Sequence, residues 1–382
     1  MTSVTEPAAQ GRALAAAGRL DEALLVLTAA VAARPDDVDL HLAIYETAQL
    51  ARRDELALRH QREAIARAPV QSAPASVRED YALLVPTMPG LWVSNTPVEL
   101  LFDQSRVTIH RWYVDPDGDV PPLPHYDAVF TAIGESAAAL PYLHATERFL
   151  ADRSAPVVNR PAQIARLGRT ALAATFAGAR RCRVPAAKLV SRAAYEAAAP
   201  AEAHVVRPRD THGGNGLTLV ASDQERRAFL AAFGAEELYV APFIDYRSAD
   251  GYFRKYRIVF VGGEPYPFHL AISPRWMVHY YNAPMDEHAW MRDEEHRFLA
   301  RMEDVFSGDL HEALREAAAL LPLDYVGIDC AIDREGKLLI FEADSAIIVH
   351  LLDDPALYGY KARYVPRILS ALDALVRRTL GR

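Results

Sequence analysis

Three acidic side chains near the carboxyl terminus carry the strongest chemical signal in this chain. The runs Gly327-Ile328-Asp329-Cys330-Ala331-Ile332-Asp333 and Leu338-Leu339-Ile340-Phe341-Glu342-Ala343-Asp344 read as two apolar strands. Arg334-Glu335-Gly336-Lys337 joins them. A hairpin centred on Glu335-Gly336 sets Arg334 against Lys337 and Asp329 directly opposite Glu342, which brings their Cβ atoms to ~4.5–5.5 Å. Asp344 falls on the same strand face as Glu342, two residues on. Three carboxylates on one sheet face repel each other unless a cation sits among them. A hard divalent ion such as Mg²⁺, shared between carboxylates and substrate phosphates, resolves that conflict. Asp329, Glu342 and Asp344 are therefore the predicted metal ligands. Cys330 alternates with Asp329 and faces the opposite, buried side.

A second signal lies upstream. His204-Val205-Val206-Arg207 reads as a strand ending in a cation. Pro208-Arg209-Asp210-Thr211-His212-Gly213-Gly214-Asn215-Gly216 follows as a glycine-rich turn, and Leu217-Thr218-Leu219-Val220 resumes as a strand. Gly213, Gly214 and Gly216 let backbone N–H groups approach an anion closely. A Walker or dinucleotide-binding loop feeds a helix, whereas this turn returns to a strand. The remaining nucleotide option is a strand–loop–strand flap over phosphates, with His212 in the loop. A third segment, His269-Leu270-Ala271-Ile272-Ser273-Pro274-Arg275-Trp276-Met277-Val278-His279, mixes aromatic and cationic residues. Its composition suits a pocket wall for a substrate carboxylate or amine, with His269, Arg275 and His279 as candidate contacts. The acidic stretch 286–303 reads as a solvated helix face.

Elements that hold such residues follow from periodicity. After residue 80, β-branched runs at 83–85, 107–109, 128–131 and 157–158 alternate with helical stretches at 98–102 and 135–151. This pattern predicts an α/β domain with a mainly parallel sheet over 80–160. A helix at 163–177 and a strand at 186–189 open a second α/β module over 161–382, with a flap at about 185–240. Residues 1–72 differ: Ala23, Ala30 and Pro35 recur 34 positions later as Ala57, Ala64 and Pro69. That is the tetratricopeptide period of two antiparallel helices with small residues at the crossing. Gly11, Gly18 and Leu27 of the first copy become Tyr45, Arg52 and Gln61 in the second. Two copies are fewer than the ~3 an independent array needs, so the unit is expected to dock on the rest of the chain. Such repeats carry no chemistry and imply a peptide or protein partner. Residues 70–79 read as a linker.

Composition excludes several classes. Of 382 residues, 51% are hydrophobic, enough for a buried core. A net charge of −8 argues against nucleic-acid binding. Cys182 and Cys330 cannot build a disulfide framework. The opening residues show no signal-peptide pattern and no stretch has the length and apolarity of a membrane span. The expectation is a soluble, cytoplasmic protein with no membrane association.

The order of landmarks from residue 81 to 380 resembles the ATP-grasp superfamily, in the style of glutathione synthetase and the ribosomal-protein glutamate ligases. The resemblance rests on Arg169, Val184-Pro185-Ala186-Ala187-Lys188, the strand and flap just described, Leu238-Tyr239-Val240-Ala241-Pro242-Phe243-Ile244, Tyr256-Arg257-Ile258-Val259-Phe260-Val261-Gly262-Gly263 and the terminal hairpin. It implies ATP and two magnesium ions as cofactors, with Asp329, Glu342 and Asp344 as metal ligands. Arg169 and Arg207 stand where that family has phosphate-binding lysines, with Gly213, Gly214 and Gly216 in the flap. Tyr239, Val240, Ala241, Phe243 and Ile244 would contact adenine. Asp245 is taken for the ribose because Lys255 stands where an acid is often found, and Arg257 would face the transferred phosphate and acyl group. Arg for Lys keeps the charge but changes reach. The implied activity is an ADP-forming carboxylate–amine ligase that acts through an acyl phosphate on an amino acid, peptide or similar small molecule. A non-catalytic adaptor, with the repeats doing the work beside a degenerate nucleotide module, stays open. So does a kinase-like or thiol-ligating variant.

Overall fold

The computed structural model describes residues 6–197, 201–209, 211, 214–279 and 282–382. The chain divides into two compact units, one of residues 1–134 with 138–162 and one of residues 135–137 with 163–382.

The first unit begins with four helices, α1 (Pro7–Ala16), α2 (Leu20–Ala33), α3 (Val38–Leu50) and α4 (Asp54–Arg67). The second pair repeats the first at a 34-residue offset, since α2 and α4 start at 20 and 54 and end at 33 and 67. The backbone repeats with them: Gly18 and its counterpart Arg52 both take left-handed φ, +76° and +55°. Arg52 accepts a conformation that costs a side chain of order 1 kcal/mol or more, at a turn the helix register requires. Gly11 is small because a Cβ there would stand 2.4 Å from the Leu27 side chain. Leu24, Leu27, Leu40 and Ile44 close the helical core, and Leu91 from beyond the helices packs against it.

That contact explains where the second copy departs from the first. Tyr45 Oη donates to the Gly90 carbonyl at 2.8 Å. Gln61 grips the same residue through both its backbone groups, donating to Gly90 O at 2.9 Å and accepting from Gly90 N at 2.8 Å. Two of the three positions that abandon Gly or Leu, Tyr45 and Gln61, are docking contacts, as expected of a pair of hairpins too short to stand alone.

Five strands follow in the order β1-β3-β2-β4-β5: β1 (Val70–Ala73), β2 (Tyr81–Thr87), β3 (Val107–Tyr113), β4 (Ala128–Phe130) and β5 (Val157–Val158). The last four pair in parallel, while β1 runs antiparallel on the edge of β3. The predicted linker is thus partly a strand. Val70, Gln71, Ser72 and Ala73 each pair along β3, because the exposed edge of β3 satisfies their backbone groups better than solvent-exposed coil would. The stretch 98–102 forms only a 3₁₀ turn, Val98–Leu100, being too short to propagate an α-helix. Helix Leu140–Leu150 forms within the predicted 135–151.

The second unit carries two sheets. The antiparallel set β7 (Lys188–Ser191), β10 (Glu237–Pro242), β8 (His204–Pro208) and β9 (Thr218–Val220) pairs in that spatial order. The other sheet orders β12 (Glu264–Ser273), β11 (Phe253–Val261), β13 (Tyr325–Ile332), β14 (Leu338–Asp344) and β6 (Cys182–Arg183). The predicted helix 163–177 is two short ones, Pro161–Ile164 and Arg169–Thr175, separated at Gly168, whose ψ of 145° is extended. The acidic stretch 286–303 is not wholly solvated. Helix Ala289–Ala300 buries Glu295 completely and ties Glu294 to Arg254 at 2.5 Å. Burial alone would push the Glu295 carboxyl up, but His269 and Lys361 hold it down to about 2.

Candidate functional site

The five-stranded sheet of the second unit sets a row of side chains across adjacent strands. His269 pairs with Arg257, Arg257 with Asp329, and Asp329 with Glu342. The predicted Asp329–Glu342 pairing is present, but it arises by another route. Asp333 closes the turn by donating its N–H to Lys337 O at 3.0 Å, so the loop holds three residues, with Gly336 at φ +78°. That closure pairs Ile332 with Leu338 and Cys330 with Ile340. Continued unbroken, it would set Asp329 opposite Phe341. A β-bulge between Asp329 and Cys330 takes up Phe341 as the extra residue and returns Asp329 to Glu342. Cys330 and Ile328, both fully buried, hold the opposite face. A one-residue slip would send the acid into that apolar layer.

Asp329 is 2% exposed, and both its oxygens are taken. Oδ1 accepts from Arg257 Nε at 2.7 Å, while Oδ2 accepts from Arg257 Nη2 at 3.1 Å and Lys255 Nζ at 2.8 Å. Burial would raise this carboxyl, but Arg257 and Lys255 outweigh it and hold it ionised far below the usual range. Lys255 lies two residues before Arg257, so both project from one strand face. That parity was a usable signal for Lys255, which the family pattern displaced.

Glu342 is about half exposed, with Arg169 Nη2 at 3.7 Å. Asp344 lies across from Gly327, where a side chain would meet Ile347 at 2.7 Å. Its Oδ1 accepts from Ala346 N at 2.7 Å. Burial, with Glu342 and Asp329 nearby, pushes the Asp344 carboxyl up to about 6. The charged form is the disfavoured one, so stability falls as pH rises from the unfolded value of 3.8 through about 6. Asp344→Asn keeps the oxygen that Ala346 needs. It should gain of order 2–3 kcal/mol above pH 7 and nothing near pH 3.5, from a raised carboxyl of about 6 against 3.8. Paired thermal melts at the two pH values check this; an equal shift at both would remove the charge from the explanation.

Two of the three acids, Asp329 and Glu342, line a cavity of about 190 Å³, and Asp344 does not. Lys255, His279, Arg169 and Arg207 line it with them. Among the described residues no carboxylate lies within ion-pair distance of Arg207. Burial and the positive charge of Arg169 lower it to about 10. Its guanidinium braces the following turn, with Nε donating to Thr211 Oγ1 at 3.1 Å and Nη2 to Thr211 O. A cation so little neutralised, set beside a second one, is poised for an anion.

Strand parity sorts the predicted β10 contacts. Tyr239 and Ala241 face the cavity, and Phe243 and Ile244 follow them, whereas Val240 belongs to the apolar core of the antiparallel sheet. Tyr239 also lies under the Arg169 guanidinium, 5.6 Å from carbon to ring centre. Gly214 lines the cavity; Gly216, at φ +69°, turns against Pro208 instead. His212 and Gly213 lie outside the described residues. Asp245 points away, accepting from Arg247 N at 3.0 Å and pairing with Arg334 at 3.4 Å. Arg257 stands behind Asp329, not on the cavity wall. Of the aromatic–cationic segment, His279 lines the cavity and has its imidazolium form disfavoured by burial, Lys255 and Arg257. His269 is buried on Glu295, and Arg275 is exposed. Trp276, Met277, Tyr246 and Phe341 also form the wall. Trp276 and Met277 lie in the segment predicted to be a pocket wall, whereas Phe341 was missed because an aromatic residue in an apolar run reads as core.

Among the described residues, no three His, Cys, Asp or Glu side chains converge as they stand into a metal cage. The donor set nevertheless suits a hard ion. It offers carboxylate oxygens only, and the charged form of Asp344 is disfavoured by burial and then by Glu342 and Asp329, a cost a cation would relieve.

No family model and no curated protein matches the sequence. Among solved structures the chain is similar to the VanG D-Ala:D-Ser ligase from Enterococcus faecalis, at 14% identity and TM-score 0.47 over 78% of this chain and 99% of that one. It is similar to a D-alanine–D-alanine ligase from Bacillus anthracis in complex with ATP, at 10% identity and TM-score 0.45 over 79% and 99%. A RimK domain ATP-grasp protein from Sphaerobacter thermophilus gives 15% identity and TM-score 0.42 over 77% and 99%. Among the described residues no helix is long and apolar enough to cross a membrane.

Proposed function

We propose that residues 163–382 form an ATP-grasp ligase that joins a carboxylate to an amine with release of ADP and phosphate. The observation that carries this reading is a single cavity combining the under-neutralised Arg207 and its neighbour Arg169 with the acids Asp329 and Glu342. Phosphoryl transfer needs charge neutralisation and alignment more than covalent help from the protein. Arg207 and Arg169 would hold the phosphate tail, and Tyr239, Ala241 and the aromatic wall would take the base. Glu342 and Asp344, with Asp329, would hold Mg²⁺, whose chemistry is to neutralise charge on the transferred phosphoryl group. Arg257 orients Asp329 and lends positive charge behind the site.

In the proposed reaction a substrate carboxylate oxygen attacks the γ-phosphorus and the bond to ADP breaks. The amine then attacks the acyl carbon, phosphate leaves, and the nitrogen loses a proton. The N-terminal hairpins, read as tetratricopeptide-like, would recruit a peptide or protein partner. ADP release should require a carboxylate substrate, and adding hydroxylamine should divert the product to a hydroxamate. A panel of amino acids and short peptides, read by coupled ADP detection, provides the test. ADP release that never yields hydroxamate favours a kinase-like reaction, and no ADP release from any substrate favours the adaptor.

A further inference from the structure

Resting on the reading that the cavity takes the phosphate tail of ATP, we propose that Lys255 is a built-in counter-ion. It locks Asp329 and makes divalent-metal binding depend on prior arrival of nucleotide. Asp329 is 2% exposed and receives three charged hydrogen bonds, at 2.7, 2.8 and 3.1 Å, from two cations. Each carboxylate oxygen already has a cationic donor at the distance of a strong charge-assisted bond. A metal ion ligated by Asp329 would stand a few ångströms from the Lys255 ammonium, and like charges so close repel strongly in a site of reduced dielectric.

The two cations are not equivalent. Arg257 grips Asp329 through two bonds from a planar fork, a geometry it gives up reluctantly. Lys255 holds by one bond, lies on the cavity wall beside Glu342 and His279, and carries a flexible four-carbon stem. A polyphosphate entering beside Arg207 offers its ammonium a second and more strongly charged acceptor. The ammonium can swing to it without leaving the site. Oδ2 of Asp329 then keeps only the longer 3.1 Å bond from Arg257 Nη2 and has a lone pair for the ion, and Mg²⁺ would be shared with the phosphates as it commonly is.

The test uses Mn²⁺ as the probe and water-proton relaxation as the readout, since enhancement reports protein-bound ion without turnover. The full chain is titrated with Mn²⁺ alone and again saturated with a non-hydrolysable ATP analogue. The wild type should bind Mn²⁺ at least tenfold more weakly without the analogue than with it. Lys255→Met and Lys255→Gln should tighten nucleotide-free binding by at least tenfold and narrow the gap. Lys255→Arg should keep it, with circular dichroism confirming that each variant folds. Equal wild-type affinity in the two states, or unchanged nucleotide-free affinity in both neutral variants, overturns the lock while leaving the ligase reading standing. Absence of Mn²⁺ enhancement in every protein, with analogue bound, overturns the metal assignment and the lock together.

Discussion

Glu342→Gln loses turnover by roughly a thousandfold or more, the scale expected when the charge stabilisation of a transferring phosphoryl loses a ligand of its metal ion. The substitution is nearly isosteric, and Glu342 is about half exposed with only a 3.7 Å approach from Arg169. Its removal should therefore leave stability within about 0.5 kcal/mol. It also relieves the repulsion that Glu342 exerts on the buried Asp344 carboxyl, so any change in the melt of the free protein should be upward. The decisive measurement is ADP release with the fold verified by thermal melt. Full activity in the variant would take Glu342 out of the reacting centre.

Arg207→Ala weakens ATP binding by roughly 30- to 100-fold, the loss of one strong charge-assisted contact to phosphate. Arg207 differs from a merely structural arginine in a way that can be measured. Buried beside Arg169, it is lowered to about 10, so the empty protein already finds its charge unfavourable. Removing it should leave the melt of the free protein unchanged or slightly raised, although the Thr211 brace is lost. The stabilisation that ATP confers should shrink at the same time. Arg207→Lys should recover most of the affinity, because the charge returns with a different reach. Titration calorimetry with a non-hydrolysable analogue would decide it; an unchanged affinity in the alanine variant contradicts the phosphate contact.

Much of the site was legible because strand alternation is local. The period of two set Asp329 apart from Cys330 and put Glu342 and Asp344 on one face, whereas Ile340 parts from Glu342 only through the bulge at Phe341. The same rule, applied along β10, separates Tyr239 and Ala241 from Val240. The 34-residue offset was legible for the same reason: helix ends and crossings repeat with the sequence that makes them. What stayed hidden depended on partners distant in the chain. Residues 70–73 carry no strong strand signal and pair only because the edge of β3 is open. Glu295 sits in an acidic stretch that looks solvated, yet His269, Lys361 and Tyr360 satisfy it in the interior.

By itself, then, the sequence determined periodicity: two helical hairpins, a sheet-rich remainder, and three acids near the carboxyl terminus that a hairpin can bring to one sheet face. Tertiary structure alone decided neighbours and register. Whether Asp329 meets Glu342 or Phe341 turns on a single bulge, and whether it faces a metal or two cations turns on Lys255 and Arg257 from a strand more than seventy residues earlier. Periodicity comes from the dihedral geometry of adjacent residues, so it is written locally. Pairing is chosen by burial and charge summed over the whole fold, which no local stretch contains.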